Sequence, residues 1–160
     1  MDDRDLPTSG EDDVFVSPAR LLDPLAGQGR AVVAVAAGGA SGALARYGAG
    51  AALPTAPGGF PLATFGVNVL GCLLLGALLV LITELRQAHP LVRPFLATGV
   101  LGGFTTFSTY TVDAQQLIAD GRSGVAFAYL GGTLVTAVAA TWAGISLARA
   151  AASPARPVAR

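Results

Sequence analysis

Asn68 and the run TGVLGGFTTFSTYTVDA from Thr98 hold most of the polar groups that this 160-residue chain could bring to chemistry inside an apolar setting. In that run Gly102 and Gly103 adjoin five hydroxyl residues, Thr105, Thr106, Ser108, Thr109 and Thr111, and three aromatics at three-residue spacing, Phe104, Phe107 and Tyr110. Aromatic ring edges carry partial positive charge and the faces negative charge. An edge-on Phe therefore favours an anion without the deep trap of an arginine, and hydroxyls and the Asn68 amide add neutral donors of the same kind. Such a weak-binding path suits rapid conduction. The glycine pair tolerates backbone angles that other residues resist, so a helix can unwind there and expose carbonyls that attract a cation. The same residues also fit a plainer role, with the aromatics as packing and the hydroxyls bonded back to their own helix. Composition does not choose between the two. Asn68 is equally divided between an interhelical hydrogen bond, worth about 0.6 to 2 kcal/mol, and an NH2 donor to a passing anion.

Three further residues stand out. Arg46, in GGASGALARYGAGAAL from Gly38, either snorkels or caps carbonyls at a helix end, or lends positive potential to the mouth of an anion path; the structural role carries more weight. Tyr129 and Thr133 lie one turn apart on one helix face, with interfacial anchoring the simpler role for Tyr129 and a deeper position for Thr133. No nucleophile, base and orienting group fall together, so no enzyme is expected. Single Cys72 excludes an internal disulfide, and Cys72 with the single His89 cannot build a zinc site.

The elements that must position these residues follow from composition. The chain is 52% hydrophobic and 12% charged, with 21 Gly and a mean hydropathy of +0.60, whereas soluble domains carry about 25% charged residues. Four apolar windows, Ala31–Leu53, Phe60–Thr83, Leu91–Val112 and Ser123–Ala148, each approach the roughly 20 residues of helix that cross a bilayer core. The breaks between them carry Pro54, Pro57, Gly58 and Gly59, then Glu84, Arg86, His89 and Pro90, then Asp113, Asp120, Gly121 and Arg122. Within the windows the only charges are Arg46 and Arg93, and no acid is present. Buried helices of a soluble bundle would show polar outer faces at a 3.6-residue period. The expectation is an all-α membrane protein with a four-helix domain over residues 30–150. The first helix is the weakest inserter, being mostly Ala and Gly and holding Arg46, which costs about 2.5–3.5 kcal/mol near the bilayer centre; Gly38 and Gly42 let another helix come close to it.

Residues 1–29 are acidic and then rich in Pro and Gly, reading as a disordered tail without the basic start or apolar run of a secretory signal; residues 151–160 form a second tail. Net charge is zero and no basic patch exists, which argues against nucleic-acid binding. With four spans, Arg20, Arg30, Arg86, Arg93, Arg149, Arg156 and Arg160 share one side, against Arg122 and, if counted, Arg46. That bias places both termini in the cytoplasm.

With GGASGALARY at 38–47, ATFGVNVLG at 63–71 and GVLGGFTTFSTYTVDA at 99–114, the chain resembles the Fluc (CrcB) family of fluoride channels over about residues 30–150. The third motif is the specific one. The resemblance implies a four-helix subunit with its third helix broken near the middle, paired antiparallel in a dimer in the cell membrane. It also implies two narrow fluoride pores and a structural sodium ion at the dimer centre. By motif, Gly102 and Thr105 would offer backbone carbonyls to the sodium, and Phe107 and Tyr110 occupy the positions of two pore phenylalanines. Asn68 takes that of the pore asparagine, Ser108 and Thr109 fall in the break, and Tyr129 and Thr133 begin a polar track on the fourth helix.

Two departures carry consequences. Tyr110 puts a hydroxyl where a ring edge is expected, and Ala137 interrupts the polar track one turn beyond Thr133, so one pore contributed by this chain is expected to be altered or inactive. The arginine bias disfavours insertion in both orientations and points to a related partner subunit of opposite bias. The function implied is passive fluoride efflux. The alternatives are a small proton-coupled exporter of organic cations or drugs, which needs an intramembrane carboxylate that no window contains, and a non-conducting partner subunit of a heterodimeric fluoride channel.

Overall fold

A computed structural model describes residues 28–84 and 89–152, and within these the chain is helical throughout apart from short connections. Residues 1–27 and 153–160 of the two expected tails, with Arg20, Arg86, Arg156 and Arg160, lie outside the described residues, whereas Gly29 opens the first helix and residues 151–152 belong to the last. Helix α1 is Gly29–Ala52 and α2 is Leu62–Glu84. The third span opens as a π-helical segment, Arg93–Leu101, runs into the short α3, Gly102–Phe104, and resumes as α4, Ser108–Ala119. Helix α5 is Ser123–Ala152. The four expected helical regions are all present.

Their limits differ from the expectation in two places. The third span does not stop at Val112 but continues to Ala119, so Asp113 lies inside a helix rather than in a connection. The stop signal is Gly121, with φ +73°, where Gly121 N–H bonds the Ile118 carbonyl and Arg122 N–H bonds that of Leu117 at 2.8 Å. These two bonds are the Schellman pattern that satisfies terminal carbonyls, and the turn sends the chain directly into α5. Helix α5 itself runs past Ala148 to Ala152; its 30 residues extend about 45 Å, beyond the roughly 30 Å of a hydrocarbon core.

The helices pair out of chain order. Helix α1 packs on the π segment and α3, while α2 packs along α5 and α4 along α5. Glycine sets both main approaches. A Cβ at Gly42 would overlap the Val100 carbonyl, one at Gly103 the Gly39 carbonyl, one at Gly76 the Thr141 carbonyl and one at Gly144 the Leu73 carbonyl. Backbone thus meets backbone, the contact that small residues permit between apolar helices. The most enclosed cluster joins α4 to α5 through Ala114, Leu117, Ala126 and Tyr129. Large apolar side chains such as Leu44, Val138 and Trp142 face outward, the inverse of a soluble bundle. Two helices, α2 over Leu62–Thr83 and α5, are by length and apolarity sufficient to cross a membrane. Helix α1 and the interrupted third span fall short of that standard, for the Ala, Gly and Arg46 content already noted and for the break.

Candidate functional site

The break between α3 and α4 falls at residues 105–107, after the glycine pair rather than at it. Gly102 and Gly103 are helical, and the chain turns extended at Thr105, with φ −73° and ψ 158°. Thr105 N–H makes the last regular bond, to the Leu101 carbonyl at 3.0 Å. The cause of the break sits on α2. There Gly71 leaves room for the Thr105 methyl, which a Cβ would overlap, and Asn68 lies three residues earlier on the same helix face. Its Nδ2 donates to the Thr106 carbonyl at 2.9 Å and its Oδ1 accepts the Thr106 N–H at 2.8 Å. A side-chain amide thus replaces the helix as partner to both backbone groups of Thr106, the interhelical role of the two considered for Asn68.

The donors that a continuous helix would direct at two carbonyls are thereby turned away. Thr106 N–H would have served Gly102 but goes to Asn68, and Thr109 N–H would have served Thr105 but goes to Thr106 Oγ1 at 3.1 Å. The Gly103 carbonyl between them receives Arg46 Nε at 3.1 Å. Arg46 is therefore a carbonyl cap, and Gly102 and Thr105 are two of the carbonyls at the break whose helical donors are turned elsewhere. Among the described residues no group of three or more His, Cys, Asp or Glu comes together. Backbone oxygens of this kind suit a hard cation.

A cavity of about 700 Å³ beside the break is lined by Asn68, Gly102, Thr105, Phe107, Tyr110 and Thr133, together with Cys72, Thr106 and Ala137. Six residues singled out from the sequence thus share one space. Phe107 is 79% exposed, so its ring is not packing within this chain; it lies 5.9 Å from the Tyr110 ring, tilted by 42°. Tyr110 donates its hydroxyl to the Leu130 carbonyl of α5 at 2.8 Å. Thr133 is buried and donates to the Tyr129 carbonyl at 2.7 Å. Its proton is committed to its own helix, and its oxygen is what remains.

Other residues fall elsewhere. Arg46, Thr64, Thr106 and Thr109 border a second cavity of about 410 Å³. Ser108 is exposed, with its Oγ 3.3 Å from Thr106 Oγ1. Tyr129 is not an interfacial anchor. It is 0% exposed, its ring held edge-on by Phe60 at 5.3 Å and against Tyr110 at 5.2 Å, and its hydroxyl donates to Asp113 Oδ2 at 3.3 Å. It stands behind the cavity wall rather than in it. Two participants were missed from sequence. Asp113 was read as a boundary because it is charged, although Gly121 supplied the better stop signal. Thr106 was one hydroxyl among five, with nothing local to separate it.

A family model described as CrcB-like protein, Camphor Resistance (CrcB), matches residues 33–145. The chain is 56% identical over 115 residues to the fluoride-specific ion channel FluC 1 of Streptomyces coelicolor, covering 72% of this chain and 75% of that protein. Two further relatives are from Streptomyces avermitilis. Its fluoride-specific ion channel FluC 2 is 52% identical over 126 residues, covering 78% of this chain and 80% of that one. Its FluC 3 is 46% identical over 120 residues, covering 75% of this chain and 59% of the relative.

Proposed function

This chain belongs to the CrcB family, and from that premise we propose that it is a fluoride-specific ion channel lowering cytoplasmic fluoride by passive efflux across the cell membrane. The observation that carries the reading is the Asn68–Thr106 clasp, which holds a helix break open beside the outward-facing Phe107 ring. Fluoride is small and strongly hydrated, so a path must replace its water with donors that let it go again. The cavity offers the second Nδ2 hydrogen of Asn68 and the edges of Phe107 and Tyr110, with no fixed cation among its lining residues. Arg46, bonded to Gly103, contributes positive potential from the neighbouring cavity.

In this reading all four helical regions cross the bilayer. Helices α2 and α5 are apolar enough unaided, and α1 and the third span hold each other through backbone approach at Gly42 and Gly103. The subunit pairs antiparallel with a second, giving two pores. A structural sodium ion fits the diverted carbonyls of Gly102 and Thr105, supplied once by each subunit, and would give the break a fixed positive charge. The arginine bias supports one-way insertion with both termini cytoplasmic and hence a related partner of opposite bias. The two differently numbered relatives within Streptomyces avermitilis are in keeping with such pairs.

The exporter alternative no longer turns on an absent carboxylate, because Asp113 is helical; what weighs against it is family membership and the commitment of Asp113 to Tyr129. Efflux from proteoliposomes read by a fluoride electrode, with a chloride control and with and without a candidate partner, tests the proposal. Fluoride efflux without chloride efflux is expected, and equal passage of both anions, or of neither, would overturn it.

A further inference from the structure

Thr106 is the one residue among those described that lines both the cavity beside Phe107 and the cavity beside Arg46. Both of its backbone groups are held by Asn68. Its Oγ1 accepts the Thr109 N–H at 3.1 Å and donates its proton to Thr109 Oγ1 at 3.0 Å. With its one hydroxyl proton given to Thr109, its Oγ1 is left to accept, including from Ser108 Oγ at 3.3 Å, a contact that by itself could run either way. An amide NH2 has two hydrogens and a hydroxyl has one. With one Asn68 hydrogen committed to the Thr106 carbonyl, the other must be directed away from Thr106. With Thr109 Oγ1 already accepting the Thr106 proton, its own proton must also turn outward. Asn68 lines the first cavity and Thr109 the second. One residue therefore leaves one neutral donor hydrogen on each side of itself.

We propose that Thr106 is the positioning residue of the conduction path, joining the two cavities and aiming one donor hydrogen into each for a partly dehydrated monovalent anion. This rests on the reading of the chain as a fluoride channel. Thr106 also precedes Phe107 directly, so the clasp on its backbone fixes where that ring leaves the chain. The helical N–H that its hydroxyl receives is the second amide of α4, a group that otherwise lacks a partner at a helix start, so capping and donor placement share one side chain.

Two variants separate the hydroxyl from the side chain's shape. Thr106→Val keeps the β-branch and removes the hydroxyl, and Thr106→Ser keeps the hydroxyl. Full-length protein in lipid, monodisperse by size exclusion, is to be read by hydrogen exchange at the Thr109 amide. Fluoride and chloride efflux are read in parallel, with the partner co-reconstituted where the native chain needs it. The expectation is that Thr106→Val quickens Thr109 exchange and slows fluoride efflux, each by about tenfold, the size of one lost hydrogen bond, and lowers the fluoride-to-chloride ratio. Thr106→Ser restores all three. Fluoride efflux of Thr106→Val equal to the native rate, an unchanged Thr109 amide, or loss of efflux in Thr106→Ser despite its hydroxyl would each overturn the proposal. A native chain that passes no fluoride in any pairing strikes the channel reading instead, and the amide exchange still decides whether Thr106 holds the donors as described.

Discussion

Tyr129 of α5 donates a hydrogen bond from its phenol to Asp113 of α4 at 3.3 Å, in the most enclosed part of the molecule. A carboxylate inside a helix of this apolar protein is tolerable because it has a donor there. Tyr129→Phe would leave Asp113 short of that donor and lower stability by about 1–3 kcal/mol. Asp113→Asn, whose amide oxygen can still accept, is expected to cost less than Asp113→Leu, which strands the phenol. Thermal unfolding in detergent gives the order, and a Leu variant as stable as the Asn variant would show the bond to be unimportant.

Glycine positions divide by what a methyl group would meet. Gly42→Ala drives a Cβ into the Val100 carbonyl, while at Gly66 there is nothing within 4 Å. Overpacking of this kind costs about 1–3 kcal/mol. Gly42→Ala should reduce the yield of monodisperse protein, and Gly66→Ala should not; equal yields would contradict the backbone contact between α1 and the third span.

Asn68→Ala removes both bonds to Thr106, so the helix has no side-chain partner holding its break. Fluoride efflux is expected to fall by about tenfold to a hundredfold, two hydrogen bonds' worth. Phe107→Ile, which deletes the exposed ring edge, should also abolish most of it. Native efflux in both variants would remove the cavity from the conduction path.

Tyr110→Phe tests the departure from a phenylalanine. The Tyr110 hydroxyl is bonded to the Leu130 backbone, so it serves α4–α5 attachment. Stability should drop by about 1 kcal/mol while fluoride efflux is kept or raised. A fall in efflux with unchanged stability would mean that the hydroxyl itself meets the ion.

Insertion is expected to run one way. With Cys72 replaced by Ser and a cysteine placed at either terminus, a membrane-impermeant thiol reagent applied to whole cells should label neither. Labelling of about half the protein would show dual orientation and remove the reason for a distinct partner.

What the sequence made legible depended on the range over which each residue's role is decided. Helix existence followed from apolar run length, and Asn68, Phe107, Tyr110 and Thr133, which the motifs had singled out, line one cavity. Charge misled at Asp113, since a lone acid reads as a loop until its partner Tyr129, sixteen residues on, is known to face it. The glycine pair misled in another way. Gly103 is there so that α1 can approach, and the break is imposed three residues later by an amide on a different helix. Neither burial of Tyr129 nor the direction of the Thr106 hydrogen bonds has a signature within a few residues of chain.

The out-of-order pairing of the helices constrains how the protein can assemble. Helix α1 has no backbone-close neighbour until the segment around Gly99–Gly103 has been made, and α2 has none until Gly144 is in place. The two pairings interleave along the chain, so neither completes as a local hairpin, and loops of many residues must close before either is rewarded. The weakly apolar α1 therefore waits in the bilayer, arginine and all, through the synthesis of two further segments. The α1 pairing can close once the third span is made, whereas that of α2 waits for α5, so a chain truncated after α4 would leave α2 with its glycine face bare.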